Sequence, residues 1–442
     1  MEKLSYHQCL EELFALGRFG IKLELDTVAG ILERLGSPEK TFYTVHIAGT
    51  NGKGSIASTI ASILKSTGVA TGLYTSPHLI KFNERFAING VQVSDDEIVD
   101  AYMAVKAVDT GERKATYFEL TTTMAFYLFA LKKVTWAVIE TGMGGRLDAT
   151  NVLNPALSII TNLSIEHTDY LGNTLEEIAG EKAGIIKPGV PVITGVSQPE
   201  ALAVIKATAQ KQGAPLYVMG DDFSTTAVND KPSSPFDYQG ISLSLKGLET
   251  PLPGAHQIQN AALALGACEL LCTPGTTNPQ PPAITPETIR QGLAATQWPG
   301  RLEYILHDPH VILDGAHNLH AAENLARFLK EEGKAPHLTL VIGVLDDKPY
   351  RKMLEYLVPT AHRIIFTRPK INRNLDPEIL RENSRDLTQV ETTVIDDVGE
   401  AVIHAIDTAP PEGTVCVAGS LYVVGEARSC ILDKYIKKID FS

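Results

Sequence analysis

Positive charge is in short supply in this sequence. Against 52 acidic residues stand 39 basic ones, a net charge of −13 with histidine neutral. A surface of that sign repels phosphate backbones and anionic lipid, which argues against nucleic acid and membrane surfaces as partners. Cysteine is scarcer still: Cys9, Cys268, Cys272, Cys416 and Cys430 form an odd, scattered set. Cys268 and Cys272 fall on a predicted helix with no second Cys or His pair nearby, so they read as core residues rather than a zinc site. Long apolar runs are missing as well. The longest, Met124–Leu131, falls well short of the ~20 residues that cross a bilayer. The amino-terminal stretch carries acids where a secretion signal needs an apolar segment. These absences predict a cytoplasmic, reduced protein without structural metal; a monomer is the default expectation.

What is present is ordinary globular material, with 44% hydrophobic and 21% charged residues. At ~150 residues per domain, the length allows two or three domains. Short β-branched runs alternate with helical stretches, the pattern of parallel α/β architecture. Strands are expected at Phe42–Ala48, Ala137–Glu140, Ala156–Thr161 and Val190–Thr194, with helices over Lys53–Ser66 and Phe118–Lys132. Asp222–Leu248 is alternating and turn-rich, as in an antiparallel hairpin or meander, and Thr273–Pro286 is a Pro-rich loop. After Trp298-Pro299-Gly300 a second α/β series begins, with strands expected at Val311–Leu313, Leu338–Ile342, Arg363–Thr367 and Val415–Ala418. The boundary is placed there, giving domains 1–297 and 298–442.

The strongest local signal is an apolar strand running into Gly49-Thr50-Asn51-Gly52-Lys53-Gly54-Ser55, followed by a helix carrying Ile56, Ile60, Ile63 and Leu64 on one face. Glycines let backbone N–H groups converge on an anion. The helix start adds its dipole, and Lys53 adds a point charge for the outer phosphates. The spacing departs from a standard phosphate loop: Gly54, not Ser or Thr, follows the lysine, so the hydroxyl that usually reaches Mg²⁺ is missing there. Either Ser55 replaces it or ligands come from elsewhere. Downstream, Ser76 and His78 follow a short β-like run, Glu140 ends a strand ahead of a glycine loop, and His167 and Asp169 follow another strand. In α/β sheets, ligands gather at such strand ends. Glu140 with Ser76 supplies the hard oxygens that Mg²⁺ prefers.

The chain resembles the folylpolyglutamate synthase/dihydrofolate synthase family of the Mur-ligase superfamily. The matching stretches are GTNGKGS at 49–55, TSPHL at 75–79, TYFE at 116–119, ETGMGGRLDATN at 140–151 and EHTDYLG at 166–172. They continue through EKAGIIKPG at 181–189, HQIQNAA at 256–262, WPGRLE at 298–303, DGAHN at 314–318 and GSLYVVGE at 419–426, nearly the whole chain in the family's order. The resemblance implies a phosphate-loop Mur-ligase ATPase domain followed by a smaller Rossmann-like α/β domain. It also implies an ATP-dependent ligase: a folate-precursor carboxylate is phosphorylated, the amine of L-glutamate attacks the acyl phosphate, and phosphate leaves. Two Mg²⁺ ions and Lys53 would offset the repulsion among the anionic partners.

Carried over by position, the resemblance places Thr50, Asn51, Gly52, Lys53, Gly54, Ser55, Asn260, Arg301, Asp314 and His317 around ATP. It makes Ser76, Glu140 and His167 metal ligands. Lys182 matches a lysine carbamylated in this family, turning a cation into an anion that helps hold the second ion. Thr116, Tyr117, Phe118, Glu119, Leu147, Asp148 and Ala149 match the pterin site of bifunctional bacterial members, which favours use of dihydropteroate as well as reduced folates. For the carboxylates of glutamate, the candidate cations are His320, Lys348 and Arg368.

Overall fold

The computed structural model describes residues 3–17, 24–111, 113–229, 234–272, 283–331 and 337–436. Two sheets organise the chain. The first has eight strands: β1 (Tyr43–Ala48), β2 (Thr71–Tyr74), β3 (Phe86–Ile88), β4 (Val91–Gln92), β5 (Trp136–Glu140), β6 (Leu157–Ile160), β7 (Val192–Thr194) and β8 (Leu216–Val218). Their order is β4-β3-β2-β5-β1-β6-β7-β8, parallel except at one edge, where β3 runs antiparallel to both β2 and β4. The chain leaves β1, forms the helix Lys53–Ser66, and returns at β2 beyond β5, whereas β6 pairs on the other side of β1. This reversal opens a crevice at the carboxyl end of β1, where the glycine loop lies.

The helix after that loop forms because its apolar residues Ile56, Ile60, Ile63 and Leu64 recur at helical spacing, and all four are buried. Its polar face is equally specific. Ser58, Ser62 and Ser66, four residues apart, donate to the carbonyls of Gln297, Gly292 and Thr288 at 2.7, 2.7 and 2.8 Å. These bonds draw the helix Pro286–Ala294 and the segment after it against the phosphate-loop helix. Gly292 is required by the approach: a Cβ there would lie 2.4 Å from Ile63 Cα.

A small antiparallel sheet, β9 (Ser224–Ala227), β10 (Phe236–Gln239) and β11 (Ser244–Leu248), occupies the region expected to form a hairpin or meander. Most of the Pro-rich stretch, residues 273–282, lies outside the described residues. The second sheet has six strands: β12 (Glu303–His307), β13 (His310–Leu313), β14 (Leu338–Ile342), β15 (Arg363–Arg368), β16 (Glu391–Asp397) and β17 (Thr414–Ala418). Their order is β12-β13-β17-β14-β15-β16, with only the β12–β13 pair antiparallel. The strands expected from sequence fall within one or two residues of those observed. Strands β3, β4, β8, β12 and β16 are not among those expected. Among the described residues, no helix is long and apolar enough to cross a membrane.

Candidate active site

The carboxyl ends of β1 and β5 face the carboxyl end of β13 across a deep cleft of about 1420 Å³. Its lining includes Gly49–Ser55, Ser76, Glu140, His167, Lys182, Asn260, Arg301, Asp314 and His317. Residues 90 to 270 positions apart in sequence are therefore assembled into one site.

The glycine loop is held rigidly. Thr50 N donates to Asn162 O at 2.8 Å, Asn51 N to Asn162 Oδ1 at 2.9 Å, and Thr161 Oγ1 to Asn51 O at 2.6 Å. The backbone donors of Thr50 and Asn51 are thus spent on the segment after β6. The N–H groups of Gly52 to Ser55, at the helix start, have no partner among the described residues. Gly52 takes φ 83°, and a Cβ there would meet Asn260 Oδ1 at 2.5 Å. Only glycine combines that backbone with so close an approach. Asn260 is itself fixed by donating to Gln257 Oε1 at 2.9 Å. Gly54 answers the departure from the standard loop: a Cβ at this position would sit 2.1 Å from Cζ2 of the Trp298 indole. No side chain fits between the helix and that ring.

Two lysines meet at the loop's other side. Lys53 Nζ donates to Gly49 O and Thr50 O at 3.0 and 3.1 Å and lies 4.0 Å from Glu140 Oε1. Lys182 Nζ, fully buried, donates to the same Gly49 O at 2.9 Å. Burial, reinforced by the neighbouring charge of Lys53, pushes the Lys182 ammonium down to about 7. Glu140 is buried at the end of β5 and accepts from Ser76 N at 3.1 Å. Desolvation raises its pKa, and Lys53 opposes that shift only partly. His167, in a left-handed conformation (φ 51°), opens onto the cleft, and its pKa is lowered chiefly by desolvation.

From the second sheet, Asp314 at the end of β13 accepts from Leu302 N and Ala316 N, both at 2.9 Å. Arg301 donates to Gly315 O at 3.3 Å, and the same carbonyl meets His317 Nδ1 at 2.8 Å. Burial takes the His317 imidazolium down to about 4. Lys348 lines the cleft, and His320 does too, whereas Arg368 lies outside the lining and pairs with Asp396 at 2.6 Å.

The residues expected to hold the pterin lie outside this lining. Thr116 and Glu119 are committed to each other: Thr116 Oγ1 accepts from Glu119 N at 3.3 Å, and Glu119 Oε2 accepts from Thr116 N at 2.7 Å. This is a capping box for the helix Tyr117–Leu131. Tyr117 faces Phe14 and the Arg85 guanidinium, with centroid distances of 5.9 and 5.5 Å. Phe118 lies under Gly142, where a Cβ would come 2.3 Å from its ring. Asp148 is buried and accepts from Met143 N and Thr150 N at 2.9 and 3.0 Å, shaping the turn that carries Leu147 and Ala149. Sequence reasoning missed the roles of Trp298, Glu166 and Asn318, all of which lie inside motifs it had quoted.

Residues 47–268 match the Mur ligase middle domain, and residues 300–421 match the Mur ligase glutamate ligase domain. The chain is 38% identical to the dihydrofolate synthase/folylpolyglutamate synthase of Bacillus subtilis, over 93% of this chain and 95% of that protein. Among solved structures, FolC of Escherichia coli in complex with DHPP and ADP superposes with a TM-score of 0.86 at 31% identity, covering 96% of this chain and 98% of that one. The bifunctional folylpolyglutamate synthase/dihydrofolate synthase of Yersinia pestis, complexed with AMPPNP and a Mn ion, gives a TM-score of 0.85 at 31% identity, covering 97% and 98%. Motifs, fold and relatives agree along nearly the full length, and the chain belongs to the dihydrofolate synthase/folylpolyglutamate synthase family of Mur-type ligases.

Proposed function

We propose that this protein joins L-glutamate to the free carboxylate of dihydropteroate, of a reduced folate, or of both, with ATP as the driving co-substrate. The observation that carries the reading is the convergence of Lys53, Glu140 and Lys182 with Arg301 and Asp314 on one cleft. Domains 1–297 and 298–442 would each supply one wall. A carboxylate is a poor electrophile until one oxygen becomes a leaving group. Transfer of the γ-phosphoryl group provides that, and the glutamate amine then displaces phosphate. Lys53 and the N–H groups of Gly52 to Ser55 offset charge on the transferring phosphoryl group. Arg301, Asp314, His317 and Asn260 hold the nucleotide, and Lys348 is the cation placed to meet a carboxylate of glutamate. The segments at 116–119 and 147–149 border the acceptor's ring system.

The donor set fits a hard divalent cation. Glu140 is a buried carboxylate whose pKa is raised by desolvation, and Ser76 adjoins it. Glu140, Ser76, His167 and a carbamylated Lys182 would hold Mg²⁺, two ions in all. Bound there, the metal supplies neutralisation of phosphate charge. Carbamylation needs a neutral amine, and burial of Lys182 favours that form. Conversion to an anion would also remove its repulsion from Lys53.

The test is phosphate release by purified protein with dihydropteroate and a tetrahydrofolate assayed in parallel as acceptors. Release that requires both glutamate and an acceptor is expected. Equal release without either, or turnover of a UDP-muramoyl peptide in place of folates, would overturn the reading.

A further inference from the structure

The loop that receives the phosphates is also touched by the opposite wall of the cleft. Asn51 has its backbone fixed by Asn162 and Thr161, yet its side chain turns away from both. Asn51 Oδ1 accepts from Asn318 Nδ2 at 2.9 Å, and Asn51 Nδ2 lies 3.4 Å from His320 Nδ1. Asn318 is buried, and its own Oδ1 accepts from Ala321 N at 2.9 Å, capping the helix Leu319–Glu331. Its Nδ2 also reaches Glu166 Oε2 at 3.4 Å, one residue before His167. One amide thus caps a helix of the second sheet and bonds two loops of the first. Nearby, the helix Leu421–Ile431 abuts Leu79 so closely that a Cβ on Gly425 would stand 2.1 Å from Leu79 O.

We infer that Asn318 is a positioning residue that ties the glutamate-ligase wall to the phosphate loop through Asn51. Its amide reaches Asn51 Oδ1 only when the two walls are in register to within a fraction of an ångström, because hydrogen bonds weaken steeply with distance and angle. The bond therefore makes the arrangement of the phosphate loop and the approach of the amine-binding wall interdependent. Attack on an acyl phosphate needs that register, since small misplacements of reacting groups cost large factors in rate. The inference rests on the ligase reading above.

Asn318→Ser separates positioning from folding: serine still caps the helix but is too short to reach Asn51. Asn51→Ala removes the other partner and leaves its backbone bonds in place. Each variant is expected to lower kcat about tenfold, with KM for ATP changed by less than about threefold. The double variant should be no slower than the worse single one, because both break the same contact. Wild-type kcat in Asn318→Ser, or losses that multiply to about a hundredfold in the double variant, would overturn the inference. If Asn318→Ser does not fold, Asn51→Ala against wild type decides by the same kcat and KM split. Small-angle scattering supplies a readout independent of turnover: without ligands, Asn318→Ser should be less compact than the wild type. Equal compaction would overturn the inference. Failure of wild-type turnover would sink the ligase reading instead, and the scattering comparison would still judge the contact.

Discussion

Gly54 offers the sharpest test of how this site is built. Gly54→Ser would restore the hydroxyl that a standard phosphate loop carries after its lysine. In this fold the new Cβ would begin 2.1 Å from Trp298 Cζ2 and 2.7 Å from Cε2, well inside contact distance. The helix cannot yield, because Ser58, Ser62 and Ser66 bond it to residues 288–297. The indole must move instead, and it stands three residues before Arg301. Overpacking of this kind costs about 1–3 kcal/mol. If that cost falls on the engaged state, kcat/KM for ATP should drop by roughly 5- to 150-fold. The assay is steady-state phosphate release at saturating glutamate and acceptor. The decisive comparison adds Trp298→Ala, which vacates the space. The double variant should recover much of what Gly54→Ser loses. A Gly54→Ser enzyme with wild-type kcat/KM, or a loss that Trp298→Ala leaves untouched, would refute the steric argument.

Three further outcomes follow from the same geometry. Glu140→Gln removes a buried charge whose pKa desolvation already raises, so turnover should fall at least a hundredfold while the thermal unfolding midpoint holds or rises; a lowered midpoint would show that the carboxylate stabilises the fold. Lys182, with a pKa of about 7, is about nine-tenths neutral at pH 8, against under about 1% for an ordinary lysine. A ¹³C-bicarbonate-derived carbamate resonance should therefore appear in wild type and vanish in Lys182→Arg, and an active Lys182→Arg enzyme would remove the carbamate from the mechanism. His46, fully buried on β1, donates to or accepts from Thr150 Oγ1 at 2.8 Å, and burial brings its pKa down to about 3. The unfolded chain takes up this proton below about 6.5, whereas the native chain does not until about 3. Stability is lost as pH falls through that window, by about 1.4 kcal/mol per unit at most, and chemical denaturation of His46→Gln should show a shallower acid limb.

The sequence made the central strands and the phosphate loop legible, because both follow from local rules. The apolar strand, the glycines, the lysine and the helix of GTNGKGS stand in chain order, and each side chain acts within a few residues of its neighbours. The edge strands β12 and β16 were hidden because one face of each is partly solvated and their apolar alternation is weak. Trp298 was read only as part of a motif, since its contact with Gly54 spans more than 240 positions and no periodicity reports it. The TYFE segment also carries a local role. Thr-x-x-Glu ahead of an apolar run is a capping signature in its own right, and the structure uses Thr116 and Glu119 that way. Asn318 was quoted within DGAHN without a role, because its role depends on which loop the second sheet comes to face.

A net charge of −13 and a site for anions are compatible because they act over different lengths. At physiological ionic strength, exposed charges are screened beyond about 8 Å. The acidic exterior is therefore weakly felt inside the cleft, while a polymer lying along the surface would meet it at every phosphate. Within the cleft, Lys53, Lys182, Arg301 and Lys348 lie among partly desolvated groups, where screening is weaker. Their influence is visible in the neighbours they perturb: Lys53 and Arg301 oppose the desolvation that raises the pKa of Glu140 and of Asp314, while Lys53 adds to the desolvation that lowers that of Lys182, and Lys348 to that which lowers those of His167 and His317. Cations held close to one another in the cleft are poised to gain from anions entering it. Desolvation, with Lys53 adding to it, pushes Lys182 toward its neutral form, and the cations that stay charged should favour binding of ATP and a carboxylate.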